Sequence, residues 1–162
     1  KIPPQNPQAE ASLIGALLMD KDAIIKVADI VHSGDFYVDK NGLIFDAIVK
    51  LFEKREPIDV VTLSEELEKQ AVLKEIGGAG YLTELVNGVP SAAHVAQYAQ
   101  IVAQKATLRR LIEAAGQINN MAYSEEEQLD SLLDNAEKTL FDVSQKHLRQ
   151  NFISIKDVLA ES

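Results

Sequence analysis

The chain has no cysteine and no tryptophan, and only 9 of its 162 residues are aromatic (5 Phe and 4 Tyr). Without cysteine there is no disulfide scaffold and no thiolate zinc site, as suits a reducing compartment. Positive charge is also short: 16 Lys and Arg stand against 25 Asp and Glu, a net charge of −9. Because affinity for a phosphate backbone comes mainly from Lys and Arg, little or no DNA binding by this chain is expected. No apolar run approaches the ~20 residues of a membrane span. The leading residues Lys1-Ile2-Pro3-Pro4 lack the apolar core of a signal peptide, so the expectation is a cytoplasmic protein with no membrane partner.

Glycine and proline are scarce in the second half. All five Pro and seven of the eight Gly lie at or before position 90, and residues 91–150 contain only Gly116. These residues mark turns and helix ends, so an all-α fold is expected, with a small multi-helix globule at residues 1–90 and a long antiparallel helical hairpin at 91–148. Residues 149–162 read as a linker around Arg149–Phe152 followed by the start of a further helix at Ser154.

Apolar spacing supplies the elements. In the globule, helices are expected over Gln8–Met19, Asp22–Val31, Asp39–Lys54, Val60–Gln70 (capped by Asp59) and Tyr81–Val86, the last entered through the turn Gly77-Gly78-Ala79-Gly80. Beyond Pro90-Ser91, residues Tyr98, Ile101, Leu108, Leu111, Ala115, Ile118 and Ala122 recur at heptad-like steps and predict a seam. Ser124–Glu127 reads as a capping box for a second helix, striped by Leu129, Leu132, Leu133, Ala136, Leu140 and Val143. Val95, Val102, Ile112, Met121 and Phe141 fall off the seam. Exposed apolar stripes on long helices mark interfaces, which favours association with another chain over folding back onto the globule.

A search for chemistry returns none. No Gly is followed by Lys, as a P-loop requires, so Gly77–Gly80 is a turn and not a phosphate cradle. The acids Glu125–Glu127 fan around a helix and complement its dipole. His32, His94 and His147 have no ligand-spaced partner, and no Gly-x-Ser-x-Gly context appears. Catalytic, cofactor and metal residues are accordingly all expected to be absent. The basic residues Lys105, Arg109, Arg110, Lys138, Lys146 and Arg149 are interspersed with acids and read as a solvated face or inter-chain ion pairs. Val60–Gln70 with its following turn suggests a helix-turn-helix regulator as an alternative, but Glu65, Glu66 and Glu68 carry the wrong sign for a DNA groove. An accessory enzyme domain is a further alternative, and it lacks a convergent polar site.

Several words of the sequence then fall in a specific order: Ile2-Pro3-Pro4-Gln5, Ala9-Glu10, Leu13-Ile14-Gly15-Ala16, Asp35-Phe36-Tyr37, Ile44-Phe45, Pro57-Ile58-Asp59, Gly77-Gly78 with Tyr81-Leu82, Pro90-Ser91-Ala92-Ala93, Tyr98-Ala99 and Arg109-x-Leu111-Ile112. Over essentially its whole length the chain resembles the N-terminal domain and linker of bacterial replicative DNA helicases of the DnaB type. It departs at Asn41, where the family often has His, at His94, where Asn is common, and at Ala11, where an acid is common. The resemblance implies a globule and hairpin without catalysis of its own. Hairpins would pair between subunits, dimers assembling into the collar of a hexameric ring. ATP and Mg would be bound only by a C-terminal RecA-like ATPase domain absent from this chain. The implied partners are the C-terminal domain of primase, with helicase loader and the clamp loader's tau subunit reached through the rest of the protein. Candidate interface residues are Tyr81, Val95, Val102, Ile112, Ile118, Met121, Tyr123 and Phe141, each with core packing as its alternative. Ile155, Val158 and Leu159 would belong to the linker helix.

Overall fold

A computed structural model describes the backbone of residues 1–161 and the side chains of residues 1–150. It contains α1 (Pro7–Met19), α2 (Ala23–Val27), α3 (Asp39–Glu53), α4 (Val60–Lys69), α5 (Gly78–Asn87), α6 (Val95–Ser124) and α7 (Leu129–Glu161), with a 3-10 turn at Ser33–Asp35 between α2 and α3. Among the described residues there is no strand, and the expected all-α fold is what forms. Local chemistry explains several boundaries. The Asn6 side chain accepts the Ala9 N–H at 2.9 Å, and Pro7 occupies the first turn of α1, where a missing N–H costs nothing. Asp59 accepts the Thr62 N–H at 2.9 Å while Thr62 Oγ1 accepts the Asp59 N–H at 3.0 Å, closing a reciprocal cap on α4. Gly77, at φ +104°, takes the left-handed turn into α5.

The core is built around α1, whose Leu13, Ile14 and Leu17 are completely enclosed. Ile44, Phe45, Ile48 and Leu51 of α3 and Leu63 and Leu67 of α4 close it on one side, with the Phe36 and Phe45 rings 5.2 Å apart. On another side α1 meets α5 backbone to backbone: a Cβ on Gly15 would lie 2.2 Å from the Leu85 carbonyl oxygen, a separation no side chain tolerates.

α6 closes the third side. Val95, Ala99, Val102 and Ala103 are buried in the same cluster as α1 and α3, and Ala106 is buried one turn further on. The globule therefore does not end at residue 90; it includes the first three turns of α6, and the free part of the hairpin starts later than expected. The expected seam is corrected as well. Leu108, Leu111, Ala115 and Ala122 point outward, while the inward face of α6 runs through Val95, Ala99, Val102, Ala106 and Ala114. Alanines let helix backbones approach closely, and this small-residue face is the one that the globule and α7 occupy. Heptad spacing reveals that a helix carries apolar stripes; it does not say which stripe meets which partner.

At the tip, α6 runs through Ser124 and ends with Glu125 in the left-handed conformation, φ +53°. The expected Ser124–Glu127 capping box does not form. Ser124 Oγ instead donates to the Met121 carbonyl at 3.0 Å, and the Glu127 carboxylate accepts from Asn135 Nδ2 at 2.9 Å. α7 then continues without a break across 149–152, where a linker was expected. The side chains of Ile155, Val158 and Leu159, expected in a linker helix, lie outside the described residues.

Candidate functional site

The hairpin presents its apolar residues unevenly along its length. Distally, Leu108 and Ile112 are 43% and 56% exposed on α6, and Leu133 and Phe141 are 49% and 58% exposed on α7. At the tip Tyr123 is 82% exposed. Of the candidate interface residues, Ile112, Tyr123 and Phe141 are thus open to a partner. Ile118 and Met121 are half-buried. Val95 and Val102 must be removed from the set. Each is only 1% exposed inside the globule, so neither offers a surface to another chain, and here the fold-back alternative is the one realised.

Tyr81 is half-buried on the globule and belongs to a polar chain. Its hydroxyl donates to Asn41 Oδ1 at 2.7 Å, and Asn41 Nδ2 donates to Glu10 Oε1 at 3.2 Å. Glu10, itself buried, also accepts the N–H groups of Tyr37 and Val38 at 2.8 and 3.2 Å, and so fixes the entry to α3. Lys40 Nζ covers the Tyr81 ring at 3.8 Å. Burial, reinforced by the negative charges of Glu10 and Glu84, pushes the Tyr81 phenol above its usual value and keeps it a hydrogen-bond donor.

A second polar centre joins the globule to the hairpin. Asp35 is fully enclosed, and its carboxylate is reached from three directions. Oδ1 pairs with the Arg110 guanidinium of α6; Oδ2 accepts the His32 N–H at 2.9 Å and Gln150 Nε2 of α7 at 3.4 Å. Arg109 donates to the Asp35 carbonyl at 2.7 Å and to the Pro4 carbonyl at 2.8 Å, lying over the Tyr37 ring. The expectation of a solvated or inter-chain role fails for these two arginines. They tether the hairpin to its own globule, because a buried carboxylate needs a cation and α6 supplies one.

Glu10, Asp35 and Asn41 did not figure among the candidate residues. A signal existed for Glu10, a carboxylate in step with Leu13, Ile14 and Leu17 on an otherwise apolar face. None existed for Asp35, whose side-chain partners on α6 and α7 lie 75 and 115 positions away. Among the described residues no group of three or more His, Cys, Asp or Glu is arranged to hold a metal ion, and no helix is long and apolar enough to cross a membrane.

Comparison with known proteins decides the family. The profile of the DnaB-like helicase N-terminal domain matches residues 2–104. The chain belongs to the DnaB-like helicase N-terminal domain family. The replicative DNA helicase DnaB of Geobacillus stearothermophilus is 40% identical over 162 residues, which are all of this chain and 36% of that protein. The replicative DNA helicase DnaC of Bacillus subtilis (strain 168) is 38% identical with the same coverage. The chain thus spans about a third of the length of these curated DnaB-type relatives. The crystal structure of the N-terminal domain of DnaB helicase from Mycobacterium tuberculosis superposes with a TM-score of 0.84 at 40% identity, covering 87% of this chain and 99% of that one. A structure titled as a DnaB-like replicative helicase and its interactions with primase shares the fold at TM-score 0.72 and 24% identity, covering 85% of this chain and 31% of that one. This family assignment takes the place of the helix-turn-helix and accessory-enzyme alternatives.

Proposed function

We propose that this domain is a scaffold: its hairpin pairs with that of a second copy, the dimers assemble into the collar of a hexameric helicase, and the collar docks the C-terminal domain of primase. One observation carries the reading. Leu108, Leu111 and Ile112 form an outward apolar row on α6, and Leu133, Leu140 and Phe141 extend the apolar surface on α7, each at least 43% exposed. Apolar rows of this length are unfavourable in water and are the usual mark of a protein interface. The chain's own residues contribute contact and shape, not chemistry. ATP and Mg are assigned to a C-terminal motor domain outside this chain, and the loader and tau subunit to surfaces of that longer protein. The fold shared with a DnaB-like replicative helicase studied for its interactions with primase supports the docking role. Tyr123, Ile112 and Phe141 are the proposed contacts, with Ile118 and Met121 at their margins and the exposed part of the Tyr81 ring as a separate contact on the globule.

Light scattering coupled to size exclusion, with and without purified primase C-terminal domain, tests this reading. The wild-type chain should elute as a dimer or larger and carry primase with it. The double variant Ile112→Asp, Phe141→Asp should be monomeric with unchanged helicity. A wild-type chain that stays monomeric at high concentration and leaves primase free overturns the proposal.

A further inference from the structure

Asp35 does more than cap its own turn: we infer that its carboxylate is a latch holding the proximal end of α7 on the globule, and that α7 is the arm it releases. The two hairpin helices are anchored very differently. α6 is rooted by Val95, Ala99, Val102 and Ala106, each at most 2% exposed, and cannot leave without opening the core. α7 contributes nothing to that core cluster among its described residues, of which only Gln150 is buried. Nearby Leu148 is 57% exposed, and the α6–α7 seam beside Arg110 is not filled by side chains but opens into a groove of about 320 Å³ lined also by Gln117, Thr139 and Lys146.

The hydrogen bond that closes the latch is also the weakest at Asp35. Gln150 Nε2 stands 3.4 Å from Oδ2, whereas the His32 N–H reaches the same oxygen at 2.9 Å and the Arg110 guanidinium pairs with Oδ1. When Gln150 leaves, the carboxylate keeps a cation and a backbone donor, so opening strands no buried charge. The departing amide is hydrated, and Arg110 Nη1, buried without a partner among the described residues, gains access to water. The latch therefore opens at low cost while α6 and the globule stay intact, and the direction of the chain beyond Gln150 is tied to whether it is closed.

Amide hydrogen exchange on the intact protein reads this directly. Gln150→Leu removes the donor, and Gln150→Glu places a like charge against Asp35. Amides of residues 143–150 should exchange about three- to tenfold faster in the first variant, and faster still in the second, with residues 13–17 of α1 and 95–106 of α6 unchanged. Unaltered exchange at 143–150, or an equal acceleration in α1 and α6, overturns the latch: the first means that Gln150 holds nothing, the second that it is only part of the general packing.

Discussion

The two halves of α6 are the same helix with opposite surroundings. From Val95 to Ala106 its inward residues Val95, Ala99, Val102 and Ala106 are enclosed by α1, α2 and the 3-10 turn; from Leu108 to Tyr123 every large apolar residue is exposed or only half-buried. The changeover falls at Arg109 and Arg110, which reach back to Pro4 and Asp35. The hairpin is thus not a separate module hung on a globule. One helix is core in its first half and largely exposed in its second, and the arginine pair marks the boundary.

That contrast orders the expected effects of substitution. Phe45→Ala, inside the globule, should cost about 3–5 kcal/mol of unfolding free energy, whereas Phe141→Ala on the outer hairpin should cost the monomer less than about 0.5 kcal/mol. Urea unfolding compares the two. Asp35→Asn leaves Arg110 without its counter-charge where α6 leaves the globule and should cost about 3 kcal/mol, with Arg110→Met similar, since either breaks one buried pair. Gly15→Ala drives a methyl into the Leu85 carbonyl and should cost about 1–3 kcal/mol through separation of α1 from α5, visible as a lowered thermal midpoint.

The smallest effect belongs to a pair at the edge of the globule, between half-exposed Lys54 and buried Glu66. Lys54 Nζ bonds Glu66 Oε1 at 3.1 Å and, with opposing desolvation, holds that carboxyl below its usual value. A depressed carboxylate contributes stability above the unfolded pKa and loses it as pH falls through the folded one, so this contribution fades below about pH 4.5. Lys54 is half exposed, so Lys54→Met should cost less than about 1 kcal/mol at neutral pH and flatten the acid limb of the stability profile slightly.

Much of this architecture could be read from composition and spacing, and the failures share one cause. The helices of the globule, the Asp59 cap and the long pair after Pro90 follow from local signals: glycine and proline punctuation, 3.6-residue periodicity and side-chain caps. What local signals cannot carry is which stripe of a two-striped helix turns inward. Val95 and Val102 look like spare apolar residues beside a heptad seam, yet small residues at 99, 103, 106 and 114 give their face the closest approach. Asp35 and Arg110 look like surface charges until the fold brings them together. The exposed distal residues Ile112, Tyr123 and Phe141 were legible as candidates because nothing nearby in sequence could cover them.

The proposed pairing gives the distal hairpin to another chain and leaves the proximal half of α6 to its own globule. Sedimentation velocity on the wild-type chain and on the Ile112→Asp, Phe141→Asp variant, alongside their thermal unfolding, tests it most directly. The wild type should form a concentration-dependent dimer or larger species and the variant a monomer, with the same melting midpoint for both once the wild type is diluted to monomer. A wild-type chain that sediments as a monomer at every concentration, or a variant monomer that melts well below the wild-type monomer, would contradict it.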